Sequence, residues 1–217
     1  MGGNMIKGSI YVLFFWGIVS LTLNSQIIQH RASQRIEQQR KKRIPSHQEP
    51  LSKVQLLVLH NNVFVRAFLD LISYAEGTFE SRGYYRLFGN NWCDDLMEHP
   101  RQLFCGIVNG KELCTTAAGR YQMLARTFDW LAPYSQVNDF SPINQDCLAI
   151  QLLYLNHAVD YIRSGNILPA IRRVANIWPS LPGSIYNQGS KKVISDLEMF
   201  FKNRVAIYRQ QKKVEGT

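Results

Sequence analysis

The stretch from Phe64 to Gly77 leaves the chain little conformational choice. Phe64, Phe68, Leu71, Ile72 and Ala75 recur at the spacing of one helical face, so the segment has to bury that stripe as an amphipathic helix. At about 100° per residue, Glu76 falls on the edge of the stripe. Gly77 suits the left-handed residue that ends a helix. A carboxyl at such an edge is partly desolvated. Desolvation disfavours the charged form and lifts the pKa toward neutrality, as a general acid requires. The competing reading is a surface glutamate at a helix end, where its charge meets the unfavourable end of the helix dipole.

The rest of the chain beyond residue 60 reads as mostly helical with one small β region. The first helix covers Asn62 to Glu76. Short strands fall between Arg82 and Thr116, and Asn109-Gly110 is a hairpin-turn signal between two apolar runs. A second helix is expected from Ala118 to Trp130. Ser141-Pro142 opens another that ends near Gly165, because serine caps and proline suits the first turn. Further helices are expected over Leu168 to Trp178 and from Ser190 to about Gln210. Cys105 and Cys114 flank the turn almost symmetrically, so they form a disulfide or remain free, partly buried thiols. No internal repeat is visible, and about 155 residues suffice for one core.

The first sixty residues differ in kind. Gly8 to Leu23 is uncharged and largely apolar, Lys7 precedes it, and no clean small-x-small cleavage site follows. Residues 1–30 therefore read as a retained signal anchor rather than a cleaved signal. The strongly apolar part falls short of the roughly 20 residues of a full span. Arg31, Arg35 and Arg40-Lys41-Lys42-Arg43 lie beyond it, which the positive-inside rule would also hold inside. Residues 31–60 read as a basic linker, with Leu51 to Leu59 apolar enough to dock on the domain. Residues 1–66 hold 9 Lys/Arg against 2 Asp/Glu, while residues 67–217 hold 16 against 14. The net charge of +9 thus sits mostly outside the folded part and gives no reason to expect a nucleic-acid groove there.

The ordered motifs carry a resemblance. Asn61-Asn62, Ala67-Phe68-Leu69-Asp70, Glu76-Gly77-Thr78, Gly83-Tyr84, His99-Pro100-Arg101, Gly119-Arg120-Tyr121-Gln122 and Asp139-Phe140-Ser141-Pro142 with Gln145-Asp146 stand in one order. Asn176-Ile177-Trp178, Ser180-Leu181-Pro182-Gly183, Tyr186 and Gln188 follow. From Asn61 to Gln188 the chain resembles the endolysins of phage lambda and its relatives. The resemblance implies an α+β, mostly α, lysozyme-like fold with a small β-hairpin region, here over residues 61–217 and preceded by an N-terminal hydrophobic anchor helix. It also implies lytic transglycosylase activity on peptidoglycan, with Glu76 as the catalytic glutamate. Ala117 departs from the pattern, since the family tends to have glycine there.

By the same resemblance Tyr121 and Gln122 line one wall of a cleft, and Tyr186 and Gln188 the opposite wall. Tyr121 reads equally as core with a satisfied hydroxyl. Arg120 pairs with a substrate carboxyl, supports Glu76, or sits in an internal ion pair. Trp178 reads more as core than as a platform. Asp94, Asp95 and Glu98 are the candidates for a second carboxylate, against a plain reading as surface charges. No cofactor is expected, and no metal, because none of the five histidines has a partner at ligand spacing. The expected partners are glycan strands and, through the N-terminal segment, the inner membrane, with a monomeric catalytic domain in the periplasm. The classes left open are a transglycosylase for phage-type lysis or local wall opening, a hydrolytic muramidase, and a non-catalytic peptidoglycan-binding assembly protein.

Overall fold

A computed structural model describes residues 49–108, 110–185 and 192–215. One compact unit begins at Glu49. The apolar run Gly8–Leu23 and the basic run after it lie outside the described residues.

Helix α1 (Lys53–His60) opens on a capping box in which the Ser52 hydroxyl accepts from the Gln55 amide and the Gln55 side chain accepts from the Ser52 amide. The Leu51–Leu59 run, read from sequence as the end of a linker able to dock, thus becomes helix. Leu56 is fully buried, and Lys53 donates to Asn144. Helix α2 (Val63–Glu76) follows, its Asn62 cap accepting from the Phe64 and Val65 amides. Among the described residues no single helix is long and apolar enough to cross a membrane. Only α1 and α2 taken together reach that length and apolarity, and they are bent by 87°, with α2 largely core.

Two 3-10 turns (Gly83–Tyr85 and Phe88–Asn90) lead to the hairpin of β1 (Phe104–Val108) and β2 (Lys111–Thr115). The strands pair antiparallel from Phe104↔Thr115 to Val108↔Lys111, and the register sets Cys105 opposite Cys114. Their sulfurs are bonded, while Cys93 and Cys147 are free and buried. The expected helix from Ala118 to Trp130 does not form as such. Gly119 has φ 75° and Gln122 φ 45°, neither compatible with an α-helix, and an Ala118↔Met123 bridge closes residues 118–123 into a tight turn. Helix α3 (Ala125–Ser135) begins only after that turn. Ala117 is not among the residues at positive φ, so alanine fits there without strain.

Helix α4 (Pro142–Leu155) is the central element, and eleven of its fourteen residues are buried, as expected of a helix enclosed on all sides. The single helix expected to run to Gly165 breaks where His157 takes φ 54°, which leaves α5 (Val159–Arg163) as a separate piece. Helix α6 (Ile167–Val174) stops before Trp178, and α7 (Ile194–Glu215) packs along α2. Phe201 meets Phe64 and Phe68 there, with ring centroids 6.3 and 6.4 Å apart, and Phe200 stacks on Tyr74 at 4.3 Å.

The tight turn rests on α4. A Cβ at Gly119 would lie 2.2 Å from Gln145 Oε1 and 2.9 Å from Phe140 Cε1, at a backbone φ of +75°. Gln145 cannot retreat, because its oxygen accepts from the Arg120 amide and its nitrogen donates to the Tyr84 and Phe140 carbonyls. Gly119→Ala is therefore expected to cost about 3 kcal/mol of stability, left-handed strain and overpacking together, as read by urea unfolding.

Candidate active site

Glu76 is the last residue of α2. Gly77 takes φ 73° as the left-handed cap, and its amide bonds back to the helix carbonyls. Thr78 then clamps the helix end. Its amide and hydroxyl both donate to the Ser73 carbonyl, at 2.8 and 3.1 Å, and the hydroxyl also reaches the Arg120 carbonyl at 2.5 Å. Glu-Gly-Thr is thus a local device that stops a buried helix, holds its last carboxyl in place and ties it to the 118–123 turn.

That carboxyl opens on a cleft of about 670 Å³. Its walls are the end of β2 with Thr115–Ala117, the start of α3, Gln122, and the Asn176–Pro179 segment, with Phe88 and Leu103 at its margin. Burial pushes the Glu76 pKa up from 4.5 to about 7, and a hydrogen bond from the Ser180 hydroxyl acts against that rise. A carboxyl that is half protonated near neutrality can both give and take a proton. Ser180 is 104 residues away in sequence, so no local pattern points to it. Ser180→Ala removes the one opposing contribution. It is expected to raise the Glu76 pKa further and to move the alkaline limb of the pH–activity profile upward, as a kcat/KM profile would read.

The two walls are joined behind the cleft. Trp178 is buried, and its indole N–H donates to the Tyr121 carbonyl at 3.0 Å, so it is core rather than platform. Gln122 lines the cleft. Its amide nitrogen donates to the Gly119 carbonyl at 3.0 Å and the Arg86 carbonyl at 3.4 Å, which leaves its oxygen as the acceptor for a ligand.

Arg120 and Tyr121, for which a substrate contact and a buried role were both open, face away from the cleft. The positive φ values at Gly119 and Gln122 turn the segment between them inward. The Arg120 guanidinium pairs with Asp70 at 2.8 Å, and the Tyr121 hydroxyl donates to Asp146 at 2.6 Å, where His60 and Tyr84 also meet that carboxylate at 2.9 Å. Both side chains are buried, and both line a separate polar cavity of about 310 Å³. Arg120 is therefore an internal ion-pair residue and Tyr121 a core residue with a satisfied hydroxyl. Asp94, Asp95 and Glu98 are exposed and do not line the cleft; Asp95 accepts from the Met97 amide in a local turn. His99 is buried, bonded through Nε2 to the Met123 carbonyl at 2.9 Å, and burial holds its pKa down. Tyr186 and Gln188 lie outside the described residues.

The geometry has relatives. A family model described as Endolysin matches residues 66–207. The chain belongs to the endolysin family. It is 38% identical to the endolysin of Escherichia phage lambda over 141 residues, 62% of this chain and 87% of that one. It is 35% identical to the endolysin of Escherichia phage P2 over 145 residues, 60% of this chain and 87% of the relative. A solved structure of bacteriophage lambda lysozyme complexed with a chitohexasaccharide superposes with a TM-score of 0.60 at 36% identity. It covers 66% of this chain and 94% of its own. A second lambda lysozyme structure gives 0.54 at 34% identity, over 69% and 94%. This endolysin is thus a lysozyme-like, peptidoglycan-degrading glycosidase with the lambda lysozyme fold.

Proposed function

We propose that the protein is a lytic transglycosylase that cleaves the MurNAc–GlcNAc β-1,4 bond of peptidoglycan with Glu76 as its catalytic group. One observation carries the reading: Glu76 is the one acidic side chain among the described residues that line the cleft. Two-carboxylate glycosidases need a second group to act as nucleophile or to activate water, and Asp94, Asp95 and Glu98 do not supply it.

A single carboxyl suffices when the nucleophile belongs to the substrate. Glu76 in its protonated form gives its proton to the leaving glycosidic oxygen while the sugar ring develops positive charge. The carboxylate so formed takes the proton of the C6 hydroxyl on the same muramic residue. That oxygen closes on C1, the product is a 1,6-anhydro sugar, and no water is consumed. Proximity supplies much of the rate, because attacking oxygen and reacting carbon are already linked. A pKa of about 7 suits both half-steps near neutrality. The lambda lysozyme complex with a chitohexasaccharide supports a glycan strand as the occupant of this cleft, and Gln122 is placed to accept from an acetamido N–H. Tyr186 and Gln188 are taken as further glycan-binding residues in this reading.

The relatives are phage endolysins, which supports host lysis as the setting, and the apolar run after Lys7 supports a tether. Residues 1–30 tether the catalytic domain to the inner membrane with the cleft on the periplasmic side, for host lysis. Mass spectrometry of muropeptides tests the reaction. Products lighter by one water than hydrolytic muropeptides support a transglycosylase. Hydrated products would replace it with a muramidase, and binding without products would leave a wall-binding protein.

A further inference from the structure

The cleft is short of charge. Among its described lining residues only Glu76 and Arg126 are ionisable apart from the disulfide-bonded Cys114. Arg126 is the second residue of α3, exposed, between Ala125 and Thr127. Arginines on adjoining segments are committed: Arg86 to Glu80 at 3.3 Å, Arg101 to Asp129 at 2.7 Å, and Arg120 to Asp70 at 2.8 Å. Arg126 has no ion-pair or hydrogen-bond partner among the described residues. The other lining residues offer apolar surface, hydroxyls and amides, the groups suited to a neutral sugar.

A strand lying in this cleft strips water from Arg126. A neutral glycan gives the guanidinium no charge in return, so the desolvation would be an uncompensated cost. Peptidoglycan differs from a neutral glycan such as chitin in one respect that matters here. Each muramic residue carries a lactyl group extended by a short peptide, and that peptide bears free carboxylates. A guanidinium fork matches a carboxylate in two parallel hydrogen bonds.

We infer that Arg126 binds a free carboxylate of the stem peptide and makes the enzyme prefer peptide-bearing strands over stripped or neutral ones. The assignment rests on the glycan-cleaving reading of the cleft. It makes Arg126 a specificity residue, separate from the bond-breaking chemistry at Glu76.

The test compares kcat/KM of the purified full chain on two soluble glycan strands of matched length. One carries its stem peptides, and the other has been stripped of them by an amidase. The readout is the ratio between the two. The wild-type ratio is expected to favour the peptide-bearing strand by about tenfold, the size of one charge-assisted contact, and to shrink as salt screens it. Arg126→Gln should bring the ratio close to one, and Arg126→Lys should keep part of the preference. A wild-type ratio of one, or a ratio untouched by Arg126→Gln, overturns the assignment while the cleavage of both strands leaves the reaction standing. Absence of cleavage of either strand by the wild type overturns the reaction itself, and the assignment with it.

Discussion

Glu76→Gln is expected to lower glycan cleavage by on the order of a thousandfold or more, because in the proposed reaction one side chain serves as acid and then as base. The loss should appear at every pH and in kcat rather than in binding, since glutamine keeps the shape and can still accept from Ser180. The wild type adds a pH signature. Its acid must be protonated to act, so activity falls as pH rises through about 7, well above the 4.5 of an ordinary glutamate. The same shift makes a stability statement of opposite sense. A carboxyl whose folded pKa is raised costs nothing below 4.5, where both states are protonated. It costs progressively more up to about 7, and its full amount above. Allowing for the solvent that reaches this partly exposed group, the cost above pH 7 is about 2–3 kcal/mol. Glu76→Gln should therefore be inactive yet more stable than the wild type at pH 8, with the two converging near pH 4. Thermal unfolding at both pH values checks this, and a variant less stable at pH 8 would show that Glu76 is not held in a desolvating site.

What the sequence disclosed follows from how local each signal is. The hairpin strands, the Ser141-Pro142 helix start and the stripe ending at Glu76-Gly77 are read from adjacent residues, and each stands in the structure at or near its expected place. The 118–123 turn was illegible because its dihedrals are imposed from elsewhere. Gln145 on α4 takes the Arg120 amide, and the Arg86 carbonyl takes that of Gly119. A helix pattern read through that turn misses the reversal that turns Arg120 and Tyr121 inward. Ser180 stands in one of the motifs that carry the resemblance, but its contact with Glu76 was illegible for a related reason, since the partner lies 104 residues away at the end of α2. Arg126 carried no motif; its significance comes from what the cleft around it lacks.

Asp70→Asn is expected to produce the largest loss of stability, about 3–5 kcal/mol. Asp70 is buried in α2 and accepts from three groups: Arg120 at 2.8 Å, Arg204 Nε at 2.6 Å and the Tyr208 hydroxyl at 2.6 Å. Arg120 belongs to the tight turn, while Arg204 and Tyr208 belong to α7, so one carboxylate binds three parts of the chain. Asparagine fills the same space but removes the carboxylate paired with the buried Arg120, and a buried cation that loses its partner is more costly than the pair was worth. Arg204 is more exposed, and replacing it by methionine should cost far less, about 1 kcal/mol. Unfolding in urea at neutral pH measures both. Set against a typical total of 5–15 kcal/mol, the Asp70 loss lowers Tm by roughly 10 °C. It should also reach the chemistry at temperatures where the variant is still folded. The Arg120 carbonyl receives the Thr78 hydroxyl that clamps the end of α2, and the next carbonyl, of Tyr121, receives the Trp178 indole. Releasing the Arg120 side chain loosens both attachments, so Glu76 and the Trp178 wall lose their fixed separation. Activity should then fall through kcat, with the pH profile broadened rather than shifted. A variant destabilised by the full amount but with wild-type kcat in the cold would confine Asp70 to holding the fold.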